Sequence, residues 1–460
     1  MDSLTLNRII MKTVDYKEAV NLVDEAEKVS REERLKLQNQ RLHKLVEYIR
    51  ENSPYFRELY KTLPENFTLS DLPPTTKKEM QANYNEWLTD SELNKKNVRK
   101  YLDRDVSDNS LLNGKYTALQ TSGSTGEPLM MVRDDYHNKI HGAMVNCRLM
   151  RGIDSDILNP SKYKVATVIH TSPGASSYNG YLRALAAFPD YAHNMLAVSV
   201  LEDIDSIVEK LNEFKPDVLT GYASSLILLA KERKEGRLNV DLKLIANSAE
   251  LLTDDGYREL SEAFGCPVIN NYCMTEGGEI AMANGSPAML LNEDWVIVEP
   301  VDENLELIKD PSKFSDGILI TDLSNFIQPI IRYHVGDRVK ILPPQNRDGF
   351  PELKIDGRSF QPFTLAGKKF TMVSILPKAE VWPGLMKFQV VQTALDTLEI
   401  RGITYPGEEP AKVLSGLSKK LEDYFHDSGC EGAKVTYSLE SLIHNKKGGK
   451  IPEYIDITKD

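Results

Sequence analysis

The sequence predicts an α/β protein with a large N-terminal domain of helix-covered mixed sheets and a small C-terminal α+β domain. Three observations lead to this prediction. The 460 residues exceed what one hydrophobic core usually organises. Between residues 160 and 272, short apolar runs alternate with amphipathic segments, which is typical of a parallel or mixed sheet covered by helices. After residue 359, two strand patterns and one helical pattern form a smaller group.

Composition limits the class of protein. Hydrophobic residues make up 41% of the chain and charged residues 27%, as in ordinary soluble proteins. The net charge of −12 argues against nucleic acid or an anionic membrane as the main partner. The four cysteines are scattered, and no signal-peptide or membrane-spanning pattern is present. We therefore expect a reduced, cytoplasmic protein, and the sequence indicates no particular oligomeric state.

The first clear element is a helix over residues 31–52. Leu42, Leu45, Val46 and Ile49 mark its apolar face together with Leu35, and a Ser-Pro pair ends it. Residues 67–79 then form a proline-containing segment that leads into a helix start rich in lysine and glutamate. Taken alone, this segment is predicted to be a surface connection.

A strand pattern over residues 116–121 runs into a loop that is rich in glycine and hydroxyl groups. Glycines allow positive φ and leave no side chain between the backbone and a ligand, and the hydroxyl and N–H donors suit a polyphosphate. A Walker A loop is excluded because no lysine follows the second glycine. A polar turn that binds nothing remains the alternative for this segment alone. The candidate ligand-binding residues are Thr121, Ser122, Gly123, Ser124, Thr125 and Gly126.

His137 and His141 stand four residues apart and can share one helix face. A metal pair is conceivable, but the glutamate of H-E-x-x-H is missing and no third ligand is near in sequence. We expect histidines of the core or the surface here.

Four strands are predicted at residues 164–170, 218–221, 242–246 and 267–272, with helices between them. Because ligands bind at the carboxyl ends of such strands, the residues that follow each strand should converge on one edge of the sheet. These residues are His170, Tyr222, Ala223, Ser224, Ser248, Ala249, Glu250, Asn271, Tyr272, Thr275 and Glu276.

Five motifs then follow one another in a characteristic order: the loop at 121–128, then 271–276, 331–337, 356–358 and 446–451. The loop resembles the phosphate-binding loop of the adenylate-forming superfamily. The later four motifs resemble its "YG-x-[TS]-E" element, its "RY-x-x-GD" element, the arginine segment that ends its large domain and its "GK-[IV]" element. Within it, the chain is most similar to the phenylacetate–CoA ligase family, whose "LP-x-x-TK" segment resembles residues 72–79.

This resemblance implies an enzyme that activates a carboxylic acid, by family an aromatic one, to an acyl-AMP with release of pyrophosphate. The acyl group would then pass to coenzyme A. ATP and Mg²⁺ are implied as well. Residues 1–357 would be the large domain that binds ATP and the acid, and residues 358–460 a small mobile lid.

The resemblance also implies roles for individual residues, each with a chemical reason. Thr275 and Glu276 would contact the α-phosphate and Mg²⁺, since carboxylates are hard oxygen ligands. Tyr272 would stack on adenine and Asp337 would accept from the ribose hydroxyls. Lys450 would bring positive charge to the reacting centre. Ser248, Ala249, Glu250, Asn271 and Arg358 would complete the nucleotide site, and His170, Tyr222 and Ala223 the acid site.

Three departures from the family pattern are present. Glu127 stands where lysine is common, Cys273 replaces a glycine, and residues 359–362 replace the usual acidic hinge residue. The altered hinge keeps open an amine or a carrier-protein thiol as the acyl acceptor. A nucleotide-binding homologue without turnover is the alternative from another class.

Overall fold

The computed structural model describes residues 14–104, 110–121, 128–154, 156–169, 171, 176–200, 202–247, 249–358, 363–370, 382–405, 407–444 and 451–458. Their helices are α1 (Tyr16–Lys28), α2 (Arg31–Asn52), α3 (Pro54–Leu59), α4 (Lys77–Ala82), α5 (Tyr84–Trp87), α6 (Lys95–Leu102), α7 (Asp135–Met144), α8 (Ser176–Ala187), α9 (Ile204–Phe214), α10 (Ala223–Lys234), α11 (Asp254–Phe264) and α12 (Pro410–Asp427).

The strands of the same residues are β1 (Thr117–Gln120), β2 (Met130–Arg133), β3 (Val165–Ile169), β4 (Met195–Ser199), β5 (Val218–Gly221), β6 (Leu244–Asn247), β7 (Val268–Met274), β8 (Gly278–Asn284), β9 (Met289–Leu291), β10 (Val296–Val301), β11 (Gly317–Asp322), β12 (Tyr333–Val335), β13 (Asp337–Leu342), β14 (Glu352–Arg358), β15 (Phe363–Leu365), β16 (Lys368–Phe370), β17 (Leu385–Ala394), β18 (Thr397–Thr404), β19 (Lys434–Tyr437) and β20 (Tyr454–Asp456).

A nine-stranded mixed sheet forms the centre of the large N-terminal part, in the order β13-β14-β9-β8-β7-β6-β5-β3-β4. Strands β3 to β7 run parallel, and β7, β8, β9, β14 and β13 pair antiparallel. The predicted parallel strands and the helix-covered mixed sheet are therefore confirmed. The other five strands of this sheet, β4, β8, β9, β13 and β14, were not predicted from the sequence.

The helices between the parallel strands begin and end as local chemistry dictates. Asp203 caps α9 and Thr253 caps α11 by accepting hydrogen bonds from the first-turn amides. Gly265 ends α11 with a φ of 66°, a conformation in which glycine avoids the Cβ clash.

The helices near the start of the chain pack against strands from its middle. Helix α2 has the predicted bounds, but Leu35 is 36% exposed because it lies outside the buried stripe of Leu42, Leu45 and Ile49. The prediction of a surface connection at residues 67–79 is also corrected. Thr75 is buried and bridges to Tyr333: its amide donates to the Arg332 carbonyl at 3.0 Å.

The C-terminal part is a four-stranded sheet, β19-β18-β17-β20, packed against α12. Its core is a cluster of its own, built from α12 residues such as Leu414, Leu417 and Leu421 and from sheet residues such as Val390 and Ile400. This matches the small α+β domain that was predicted. The boundary at residues 357 and 358 stays a prediction. Within the described ranges, no helix combines the length and apolarity that crossing a membrane requires.

Candidate active site

The carboxyl ends of β5 and β6 lie side by side, and the adjacent strand β7 extends beyond them to Met274. Gly221 is in register with Asn247, and Asn247 with Asn270. The residues that follow these strands therefore share one edge of the sheet, as expected from the alternating pattern. His170 after β3 and Ser248 after β6 lie outside the described residues.

Tyr272 and Asp337 meet at this edge although 65 positions separate them. The Tyr272 hydroxyl donates to Asp337 Oδ2 at 2.7 Å. Asp337 is the first residue of β13, where it pairs with Arg358 of β14. It does not lie in a hairpin turn, because β12 pairs with β11 and β13 with β14. Only the backbone of Arg358 is described.

Thr121, which precedes the glycine-rich loop, forms two hydrogen bonds with Leu129, which follows it. Its amide donates to the Leu129 carbonyl at 2.9 Å, and its hydroxyl oxygen accepts from the Leu129 amide at 2.9 Å. Strands β1 and β2 continue this antiparallel pair as a hairpin. The predicted phosphate-binding residues from Ser122 to Gly126 lie outside the described residues.

Thr275 and Glu276 occupy the turn between β7 and β8, next to a register shift at Tyr272 and Cys273. Asn271 donates through its side-chain amide to the Glu279 carboxylate across these strands. Burial raises the pKa of the nearby Tyr333 hydroxyl, and the charge of Glu276 adds to that rise.

Tyr222 and Ala223 are almost fully buried, with exposed fractions of 2% and 1%. The Tyr222 hydroxyl lies 2.9 Å from the Ser177 hydroxyl of α8, and Ala223 begins α10. An acid-binding role for these two residues stays a prediction.

Glu250 connects the sheet edge to the small domain. Its carboxylate accepts from the Ser224 amide at 2.9 Å, from Lys387 Nζ of β17 at 3.1 Å and from the Ile451 amide at 3.3 Å. Burial disfavours its ionisation, but Lys387 and Ser224 outweigh this effect and lower its pKa. Lys450 itself lies outside the described residues, and its neighbour Ile451 is bound at the edge of the site. The role of Lys387 was missed because a lone lysine in a strand carries no sequence signal.

His137 and His141 do have a third potential ligand, which the sequence interpretation missed. Asp322 of β11 is fully buried beside them, and ligand atoms of the three residues lie within 4.8 Å of one another. The Ser324 hydroxyl lies between them, 2.9 Å from His137 Nδ1, 3.1 Å from His141 Nε2 and 2.6 Å from Asp322 Oδ1.

The direction of the hydrogen bonds makes this cluster a network and not a cation site. The Glu279 amide donates to His141 Nδ1 at 2.9 Å. The proton of the neutral His141 ring therefore sits on Nε2, the atom that faces Ser324 and Asp322, and a metal there would have to displace it. Burial, then the neighbouring His141, lowers the pKa of His137 to about 3. The pKa of Asp322 is also well below its usual value, because the two histidines outweigh the effect of burial.

Several known proteins resemble this chain in sequence or in fold, all at low sequence identity. No family model matches the chain. It is 24% identical to protein CapK of Staphylococcus aureus over 318 residues, covering 66% of this chain and 62% of that protein. It is also 24% identical to a phenylacetate-coenzyme A ligase of Escherichia coli, covering 80% of this chain and 79% of that enzyme. The crystal structure of 2-hydroxyisobutyryl-CoA ligase with R3-HIB-AMP superposes with a TM-score of 0.63 at 18% identity, covering 95% and 92% of the two chains.

Proposed function

Because the chain has the fold of the adenylate-forming enzymes and is related in sequence to their phenylacetate–coenzyme A ligases, we propose that it activates a carboxylic acid with ATP. A carboxylate oxygen attacks the α-phosphate, pyrophosphate leaves, and an acyl-AMP forms. The thiol of coenzyme A then displaces AMP to give a thioester. A cytoplasmic location remains a prediction.

The observation that carries this proposal is the 2.7 Å hydrogen bond between Tyr272 and Asp337. It joins an aromatic ring suited to stacking on a base and a carboxylate suited to the ribose hydroxyls. Arg358, the third residue assigned to the nucleotide, is the cross-strand partner of Asp337. Tyr272, Asp337 and Arg358 are far apart in sequence but are neighbours in the fold, as residues that bind one nucleotide must be.

Glu276 is the carboxylate that fits Mg²⁺, because it lies in the turn beside this pair and offers hard oxygen ligands. When bound, Mg²⁺ neutralises phosphate charge. Thr275 binds the α-phosphate through its hydroxyl, and residues 121–126 donate to the outgoing phosphates. Lys450 supplies positive charge to the reacting oxygens. The hydrogen bond from the Ile451 amide to Glu250 supports this assignment, since it brings the residue that follows Lys450 in sequence to the edge of the site.

Coenzyme A is the acceptor we propose, since related chains of similar extent are named phenylacetate-coenzyme A ligases. The substrate is an aromatic acid by the same relation. The match to CapK covers less than two thirds of that protein and adds no substrate.

The first test is ATP–pyrophosphate exchange with a panel of aromatic and short-chain acids. In a second assay, coenzyme A, amines and a carrier protein are added separately and the acyl product is measured. We expect exchange with an aromatic acid and product with coenzyme A. Lys450→Ala should abolish exchange, whereas Lys447→Ala, the matched control in the same tail, should not. Measurable ATP binding without exchange for any acid would instead indicate a nucleotide-binding homologue without turnover.

A further inference from the structure

We propose that Arg133 and His141 are positioning residues that hold the β7–β8 turn, and with it Thr275 and Glu276, in the geometry that acyl-AMP formation requires. This inference rests on the proposed function. Neither residue belongs to a motif of the sequence analysis that was assigned to the nucleotide or the acid.

Arg133 holds the beginning of the turn. It is the last residue of β2, and its Nη2 donates to the Thr275 carbonyl at 2.8 Å and to the Met274 carbonyl at 3.4 Å. A charged donor makes a stronger hydrogen bond than a neutral one. The backbone that carries Thr275 is therefore fixed to the hairpin whose other end closes the glycine-rich loop.

His141 holds the end of the turn. Its Nδ1 accepts from the Glu279 amide at 2.9 Å. Its ring also packs flat against Gly278, where an added Cβ would lie 2.2 Å from His141 Cε1. Gly278 has a φ of 61°, a conformation that suits glycine. The path of the backbone after Glu276 is thus defined by one imidazole.

A buried chain of hydrogen bonds orients that imidazole. His141 Nε2 donates to Ser324, whose hydroxyl donates to Asp322 Oδ1 at 2.6 Å. Burial lowers the pKa of Arg133, and the charge of the Asp322 carboxylate opposes this shift. Arg133 thus supports the beginning of the turn, and the chain from His141 through Ser324 to Asp322 supports its end, in the manner of residues that orient the ligands of a metal.

Two substitutions of His141 separate positioning from bulk stability. His141→Leu removes the acceptor for the Glu279 amide. His141→Asn retains one, since the Asn Oδ1 can take the place of Nδ1. His137→Asn is the matched control. Position 137 lies one helical turn earlier in the same cluster, and asparagine there can still donate to Asp322. Among the described residues, the His137 side chain contacts Ser324 and Asp322 and forms no hydrogen bond to the turn.

The experiment compares these full-length variants with the wild type by pyrophosphate exchange, by Mg·ATP binding and by amide hydrogen exchange of the peptide around Glu279. We expect His141→Leu to lower kcat by about 10- to 100-fold and to raise the Mg²⁺ requirement. Hydrogen exchange at Glu279 should rise. His141→Asn should recover much of the loss, and His137→Asn should remain near the wild type.

Equal effects of His141→Leu and His137→Asn on kcat, or unchanged protection of Glu279 in His141→Leu, would overturn the proposal. So would a loss confined to thermal stability. Failure of the proposed function is distinguishable, because it would appear as absent exchange in the wild type. In that case, Mg·ATP binding and hydrogen exchange would still report on the positioning of the turn. If both were unaltered in His141→Leu, the positioning role of His141 would be refuted independently of the proposed function.

Discussion

Lys387→Met is expected to loosen the contact between the small domain and the edge of the sheet. Lys387 and Glu250 lie 3.1 Å apart, and their side chains are only 19% and 7% exposed. Methionine keeps most of the length of the lysine stem but removes the charge. Glu250 then retains the Ser224 and Ile451 amides as donors.

The size of the effect follows from this geometry. At 3.1 Å the attraction between the charges is about 5 kcal/mol with an effective dielectric constant near 20. Desolvation of both groups offsets much of it, and the remaining amide donors limit the penalty on Glu250. A net loss of about 2 kcal/mol is expected, as for a hydrogen bond to a charged group. This corresponds to about a 30-fold change in the ratio of docked to undocked domain.

Pyrophosphate exchange and small-angle scattering measure the two consequences, turnover and compactness. Lys387→Met should lower exchange and expand the particle, whereas thioester formation from a supplied acyl-AMP should fall less. Lys434→Met is the control, because Lys434 pairs with Asp396 of the same small domain and both side chains are exposed to solvent. If both variants behave alike, Glu250 and Lys387 do not determine docking and the reasoning is refuted.

Three further predictions concern the histidine cluster and the nucleotide site. Because burial and His141 hold the pKa of His137 at about 3, the unfolded chain binds this proton first as the pH falls below about 6.5, and stability should decline by up to about 1.4 kcal/mol per pH unit. Urea unfolding at pH 7 and pH 5 tests this, and an equally steep decline in His137→Asn would contradict it. Gly278→Ala should lower the midpoint of thermal unfolding through its clash with the His141 ring and its positive φ, and a midpoint equal to that of the wild type would exclude the clash. Tyr272→Phe should weaken ATP binding by about 1 kcal/mol through loss of the hydrogen bond to Asp337, as measured by calorimetry, and unaltered affinity would argue against the assigned site.

Local patterns were sufficient for the parallel strands β3, β5, β6 and β7 and for helices α9, α10 and α11, but not for the other five strands of the central sheet. Apolar runs such as that of β5 and caps such as Asp203 and Gly265 act within a few residues, so the sequence displays them directly. Motif order was sufficient for the relation to adenylate-forming enzymes. The roles of individual site residues still rest on that resemblance.

Contacts across the sheet edge could not be predicted. His141 meets Ser324, and Glu250 meets Lys387, only after the chain has folded, and pairs so distant in sequence leave no periodic signal. Thr75 was misplaced for the same reason, since its burial depends on the Arg332 segment. Leu35 shows the opposite error, because an apolar residue near a helical stripe need not lie within it.

The shared core of the first helices and the middle strands has a consequence for how the protein is made. Ile49 of α2 and Leu353 of β14 belong to one cluster although about 300 residues separate them. At ribosomal speed this interval lasts roughly 15 to 60 s, during which the strands that complete the cover of the α2 stripe have not yet been made. Newly made chains should therefore depend on chaperones that shield an exposed helix until the central sheet emerges.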